Sequence, residues 1–260
     1  MSRKKRIDLL LVERGLVKSR SEAQRLIMAR QVTVNGQYVT KPGTSVPADA
    51  AVEIAERLPY VSRGGLKLAA ALDAFQVTVQ GRVAADVGAS TGGFTDCLLQ
   101  RGISRVYAID VGYGQLAWSL RQDTRVVVME RTNARHLERL PEPIHLATVD
   151  ASFISLTLLL PRVHDWLVPD GLVISLIKPQ FEAGKNQVAK GGVVRDPAIH
   201  RQVLFRVLSW AAENGLYPHG IIRSPITGPA GNIEFLACLS KSAPHPSFDL
   251  AREIKALLPE

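Results

Sequence analysis

Asp86-Val87-Gly88-Ala89-Ser90-Thr91-Gly92-Gly93-Phe94-Thr95-Asp96 is the stretch on which the architecture turns. It leaves an aliphatic run at 82–87, crosses three glycines and opens onto helix-forming residues. That is the mark of a strand, turn and helix at which an open α/β sheet binds its ligand. The turn is not a P-loop, which needs Lys-Ser/Thr after its last glycine, where Phe94 and Thr95 stand. Nor does it match a dinucleotide fingerprint, because Ser90 occupies the place of the glycine that lets pyrophosphate approach. Asp110 ends the next aliphatic run 22 residues after Gly88, the distance at which a carboxylate accepts hydrogen bonds from ribose hydroxyls. A nucleoside lacking a pyrophosphate fits these signs, and S-adenosylmethionine is such a ligand. Its expected contacts are Asp86, Gly88, Ser90, Gly92, Gly93, Phe94 and Asp110, with Asn133 beyond the third strand facing the adenine edge. A plain tight turn, and an ordinary turn asparagine, are the alternatives.

Outward from this turn, strands and helices alternate. Aliphatic and β-branched runs at 82–87, 105–110, 126–130, 145–150 and 171–177 predict strands, and helical patterns lie near 66–75, 92–101, 114–121 and 155–167. The alternation predicts an α/β fold, a Rossmann-like, mostly parallel sheet covered on both faces. After a long helix at 197–213, runs at 217–223 and 233–240 follow each other directly and predict an antiparallel pair at the sheet edge. LeuProTyrValSerArgGlyGly (58–65) breaks all periodicity. The expected organisation is a small α+β domain at 1–57, a linker at 58–64 and the larger domain at 65–260.

The small domain carries the charge. Of a formal +8, residues 1–60 hold 11 Lys/Arg against 6 Asp/Glu, so more than half of the excess sits in under a quarter of the chain. A polyanion is the natural partner for such a front end, and a solvated helix face the duller explanation. Residues 8–14 read as a helix with Asp8 as N-cap, and Ser19 to Glu22 has capping-box spacing for a second helix running to Arg30. ValThrVal-AsnGly-GlnTyrVal (32–39) is a strong hairpin signal, because Asn-Gly tolerates the positive φ of a type I′ turn.

Residues 6–54, with SerArgSerGluAlaGln leading to ValAsnGly, resemble the S4 RNA-binding domain. The resemblance implies contact with structured RNA through Lys18, Arg20 and Arg25, with Arg3, Lys4, Lys5 and Arg6 as a mobile phosphate-seeking arm. Four dispersed residues carry a second resemblance: Lys67 in GlyGlyLeuLysLeu, Asp150 in ThrValAspAlaSerPhe, Lys178 in LeuIleLysProGlnPhe and Glu234 in AsnIleGluPhe. They resemble the Lys-Asp-Lys-Glu tetrad of RNA ribose 2′-O-methyltransferases. Taken whole, the chain resembles the hemolysin A family of ribosomal RNA 2′-O-methyltransferases, an S4 domain followed by an FtsJ-like, S-adenosylmethionine-dependent domain. This implies a cytidine in 16S or 23S ribosomal RNA as target, and ribosomal RNA or ribosomal subunits as partner.

The chemistry gives the four residues reasons of their own. A ribose hydroxyl is a poor nucleophile unless its proton is removed. Lys178, at the end of an apolar strand and near a second ammonium from Lys67, is the expected base. Asp150 orients it and Glu234 holds Lys67. The stretch 178–196, with its glycines and basic groups, is expected to be a mobile lid over the RNA, with Lys185, Lys190 and Arg195 on phosphates; a solvated loop is the alternative.

Other classes lose support. No apolar run approaches the roughly 18 residues of a membrane span, and the apolar LeuLeuLeuVal (9–12) is too short for a signal peptide, so a cytoplasmic protein is expected. Cys97 and Cys238 lack metal-ligand or disulfide-framework spacing, and no metal is expected. Against the enzyme stand a catalytically inactive RNA-binding assembly factor and a membrane-lytic hemolysin; the latter would need an amphipathic basic helix of useful length.

Overall fold

A computed structural model describes residues 4–28, 31–54, 59–242 and 247–258, and the chain forms two compact units, Met1–Leu58 and Pro59–Glu260.

The first unit runs β1 (Lys4–Arg6), α1 (Ile7–Glu13), α2 (Arg20–Met28), β2 (Val32–Val34), β3 (Gln37–Tyr38), β4 (Ser45–Pro47) and β5 (Val52–Ile54). Ile7, Leu10 and Leu11 from α1 meet Ala23 and Ile27 from α2 over Val32 and Val46, the helical i, i+3, i+4 spacing expected of faces turned to one core. Asn35 (φ 51°) and Gly36 (φ 77°) form the turn between β2 and β3, both with the positive φ of a type I′ turn. Ser19 Oγ accepts from the Glu22 N–H at 3.2 Å, while the Glu22 carboxylate reaches back to the Lys18 N–H at 2.9 Å.

Two expectations are corrected here. Lys4–Arg6 is no free arm: it pairs antiparallel with β4, and Lys5 reaches Glu13 at 2.5 Å. Asp8 is no N-cap. Arg6 occupies that place, and Asp8 is the second residue of α1, fully buried.

The second unit takes in residues 59–64, read above as linker. The Val61 N–H donates to Asp96 at 2.7 Å, the Gln100 amide donates to the Pro59 carbonyl at 2.8 Å, and the Tyr60 ring fills the space where a side chain on Gly65 would go. The unit continues as α3 (Gly64–Ala74), β6 (Val83–Val87), α4 (Gly93–Gln100), β7 (Arg105–Ile109), α5 (Trp118–Arg121), β8 (Val126–Met129), β9 (Ile144–Val149), α6 (Leu160–Trp166), β10 (Leu167–Ile177), α7 (Pro179–Glu182), α8 (Pro197–Glu213), β11 (Tyr217–Arg223), β12 (Phe235–Ser240) and α9 (Leu250–Leu257).

Seven strands form one sheet in the order β11-β12-β10-β9-β6-β7-β8. The five from β10 to β8 are parallel, and β12 runs antiparallel to both of its neighbours. β11 and β12 thus form the antiparallel pair expected at the sheet edge, with the reversed strand one in from the edge itself. The long α8 crossover returns the chain to the same direction for β11, and the connection at 224–234 then folds β12 back into the slot between β11 and β10. Alternation follows the pleat: Ala85, Val87, Tyr107 and Ile109 face the core with α6 and α8, whereas Ala84, Val106 and Ala108 face the core with α3 and α4.

Candidate active site

The chain crosses from one side of the sheet to the other at β6, whose neighbours are β7 and β9. At such a switch point the loops leave in opposite directions and open a crevice beyond the strand ends. Two adjoining cavities, about 380 Å³ and 440 Å³, lie there and share Gly88, Ser90 and Asp150 on their walls. Lys67, Gly93 and Phe94 line the first; Asp110, Gln115, Asn133 and Phe153 line the second.

The glycine turn is shaped by its neighbours. Gly88 has φ +84°, and a Cβ there would lie 2.6 Å from the Asp150 carbonyl oxygen. The Asp150 N–H in turn donates to the Val87 carbonyl at 2.9 Å, so the ends of β6 and β9 are fastened together where only glycine fits. Ser90 follows at φ 50° and donates its N–H to Asp110 Oδ2 at 2.8 Å, while the Gly112 N–H donates to Oδ1 at 2.7 Å. Backbone donors thus fix the Asp110 carboxylate on the wall, and each oxygen keeps a lone pair for a hydroxyl. Asn133 also lines this cavity, although its side-chain oxygen accepts from the Arg135 N–H at 3.0 Å. These residues fit the ribose and base of a nucleoside cofactor such as S-adenosylmethionine.

Two expected contacts do not line either cavity. Gly92, buried with φ +96°, lies beneath Leu116 and Leu120, and it serves packing at the start of α4. Asp86 is fully buried, and its oxygens accept the Thr95 hydroxyl at 2.7 Å and the Thr148 hydroxyl at 2.8 Å. It ties α4 and β9 to β6. Burial pushes its carboxyl up to about 6, with the Asp150 charge adding to the rise and the two threonine bonds opposing it. Because the folded value lies above the unfolded one, the protonated form favours folding, and this contribution fades as pH rises from about 4 through 6. Asp86→Asn, which cannot titrate, should therefore lose more stability relative to the parent at pH 5 than at pH 7.5. Thermal unfolding of both proteins at the two pH values checks this; a gap that widens with rising pH would contradict it.

Two ion pairs stand at the crevice. Lys178 and Asp150 follow the ends of the parallel neighbours β10 and β9, and Lys178 Nζ lies 2.5 Å from Asp150 Oδ1. Lys67, in the first turn of α3, lies 2.5 Å from Glu234 Oε2 just ahead of β12. Gly228 leaves room for that carboxylate, since a Cβ there would come within 2.6 Å of Glu234 Oε1. Lys67 and Asp150 line the same cavity. Each ammonium thus has a carboxylate of its own.

Sequence reasoning missed the groups that join these pairs. Lys178 also donates to Ser152 Oγ at 2.9 Å, and the Gln180 amide donates to Glu234 Oε1 at 3.5 Å. Neither has a spacing signal that could have found it. Phe153 is missed as well: it is 89% exposed with φ 62°, and its ring centroid lies 4.8 Å from that of Phe181. A bulky residue held at positive φ is a strained backbone position, and such positions gather at functional sites.

The stretch 178–196 is folded, not the open loop expected. It holds α7, a 3₁₀ turn at Lys185–Gln187 and a bridge between Ala189 and Val193. Asn232 fastens it, accepting from the Val194 N–H and donating to the Gly192 carbonyl, both at 2.9 Å. Lys190 and Arg195 are exposed on it. In the first unit Lys4, Arg6, Lys18, Arg20 and Arg25 are exposed and Lys5 is half-buried. Arg3 and the Lys185 side chain lie outside the described residues. Among the described residues no helix is long and apolar enough to cross a membrane, and no cluster of metal-ligating side chains gathers.

Comparison with known proteins places both units. Residues 60–241 match the FtsJ-like methyltransferase model and residues 5–52 the S4 domain model. The chain is 48% identical over 244 residues to the Mycobacterium tuberculosis protein named 16S/23S rRNA (cytidine-2′-O)-methyltransferase TlyA, covering 92% of this chain and 91% of that one. It is 41% identical to the protein named Hemolysin A of Brachyspira hyodysenteriae, covering 89% of this chain and 98% of that one. A solved, hemolysin-named chain from Streptococcus thermophilus superposes with a TM-score of 0.77 at 44% identity, covering 99% of this chain and 95% of that chain.

Proposed function

The chain belongs to the FtsJ-like methyltransferase family, with an S4 domain ahead of the methyltransferase unit, and from that premise we propose that it methylates the ribose 2′-hydroxyl of a cytidine in ribosomal RNA. The observation that carries the reading is that each of the two lysine–carboxylate pairs puts one member, Lys67 and Asp150, on the wall of the crevice that holds the glycine turn and Asp110. S-adenosylmethionine, when bound, supplies a methyl group made electrophilic by its sulfonium. Asp110 accepts hydrogen bonds from the cofactor's ribose hydroxyls, and Gly88, Ser90, Gly93 and Phe94 form the wall against its remainder. Lys178, acting as the neutral amine once its own proton has passed to water, takes the proton of the target hydroxyl as the methyl group leaves the sulfonium, since an alcohol attacks only as its proton leaves. Asp150 and Ser152 hold the Lys178 amine in place, and Glu234 with Gln180 holds Lys67 at the same cavity. Removing either carboxylate would leave an unmatched ammonium that is nine-tenths buried, which is why each pair is kept whole.

RNA enters through its phosphates. Lys18, Arg20 and Arg25 of the S4 domain supply affinity and salt dependence, and Lys190 and Arg195 add phosphate contacts beside the reacting nucleotide. A ribose in folded RNA is reached only when its nucleotide is splayed from the stack. The reaction belongs to the cytoplasm, where ribosomal subunits are.

The test is direct. Purified protein is incubated with methyl-labelled S-adenosylmethionine and 30S or 50S subunits from cells lacking it, and label is mapped to ribose positions. Label on a cytidine 2′-oxygen is expected. RNA binding without label in either subunit or in naked RNA would make the chain an inactive binding factor instead.

A further inference from the structure

The S4 domain contains a buried acid for which the RNA-binding reading has no use. Asp8 is fully buried, yet its carboxylate accepts hydrogen bonds from three side chains on two other elements. Arg6 of β1 donates from Nε at 3.0 Å and from a terminal nitrogen at 2.9 Å, Arg20 of α2 donates from Nε at 3.0 Å, and the Gln24 amide donates at 3.3 Å. The guanidinium side chains themselves remain 47% and 52% exposed.

One nitrogen from each arginine binds the same Asp8 oxygen, at 2.9 and 3.0 Å, so those nitrogens stand no more than about 6 Å apart. Two like charges this close repel, and long side chains left to themselves spread into solvent. The carboxylate cancels the repulsion and fixes both planes. A single acid between two bases leaves a net positive cluster, and among the described residues most of the N–H donors of both arginines have no protein partner. By contrast, Lys18 and Arg25 are exposed with no carboxylate partner among the described residues.

We propose that Asp8 is a positioning residue that sets Arg6 and Arg20 as one preorganised clamp for a single RNA phosphate. The inference rests on the reading that the S4 domain binds RNA. It makes a sign prediction that charge counting reverses. Asp8 opposes a polyanion, so by charge alone its neutralisation tightens RNA binding; as the organiser of a clamp, its neutralisation weakens binding, since two side chains must then be ordered on association.

The experiment uses the full chain and the same subunits. Asp8→Asn is expected to raise KM for the subunit about tenfold with kcat unchanged, while unfolding curves confirm that the S4 domain remains folded. Equal or tighter binding by a folded Asp8→Asn protein overturns the proposal. Should that variant fail to fold, Arg20→Lys decides: it keeps the charge and a partner for Asp8 but loses the planar fork, and a severalfold weaker affinity is expected. Affinity equal to the parent's overturns the proposal. If the parent protein itself fails to bind subunits, the RNA-binding reading falls first, an outcome separate from either variant result.

Discussion

Replacing Lys178 by alanine lowers kcat about a thousandfold, within the range that a positioned general base contributes, while the affinity for S-adenosylmethionine stays within about twofold. The two halves of this expectation rest on separate sets of residues. Asp110, Ser90 and Gly88 surround the nucleoside position without touching Lys178, whose contacts are Asp150 and Ser152. Stability is the confounding quantity, and geometry decides its size. Lys178→Ala strands Asp150, whose side chain is 22% exposed and can be reached by water. Lys67→Ala would strand Glu234 at 1% exposure, and breaking a pair that deep costs about 3–5 kcal/mol. Lys178 is thus the cleaner probe of chemistry. Single-turnover transfer to subunits, alongside calorimetric titration with the cofactor, reads both halves. Turnover within about tenfold of the parent would remove Lys178 as the base, and a matching loss of cofactor binding would make its role structural.

Gly88→Ala removes cofactor binding and destabilises the second unit together. A non-glycine residue in the left-handed region costs about 1–2 kcal/mol, and overpacking costs about 1–3 kcal/mol more, here because the new methyl would press on the Asp150 carbonyl at 2.6 Å. At about 2–4 °C per kcal/mol for a unit of this size, the melting temperature falls by roughly 5–15 °C. Gly81 supplies the control. It has φ +71° and nothing within 4 Å of its missing Cβ, so Gly81→Ala carries the strain without the collision and leaves cofactor binding unchanged. Equal shifts for the two variants would show that the β6 and β9 ends can part without cost, and that the glycine is there only for its φ.

The residues that were legible in the sequence are those whose local chemistry leaves little choice. Asn35-Gly36 admits little but a tight hairpin, and aliphatic runs between glycines read as buried parallel strands because both faces of such strands are covered. The start of α8 carries a local mark in Asp196 and Pro197, with the Asp196 side chain accepting from the Ala198 N–H. Asp110 was legible for the same reason as Gly88, since a strand-end acid and a positive-φ turn each answer a definite need at a switch point.

What stayed hidden depends on tertiary arrangement. Lys4–Arg6 and Ser45–Pro47 are too short and too polar to show a period of two, and they become strands only by pairing with each other. Asp86 looks like a ligand because an acid at a strand end normally faces water; only the fold reveals Thr95 and Thr148 closing over it. Asp8 misled in the same way, as an acid near a helix start that the packing of α2 turns inward. The insertion of β12 next to β10 is a choice of slot, which no single segment encodes.

That insertion also sets when the protein becomes competent. β12 emerges from the ribosome after β11 and must wedge between two strands made before it, and Glu234, the carboxylate that holds Lys67, travels in on its leading end. Until β12 docks, β10 presents an open edge and Lys67 lacks its carboxylate. The crevice is consequently completed by the same pairing that closes the sheet, and Lys67 gains its carboxylate only where β12 has docked.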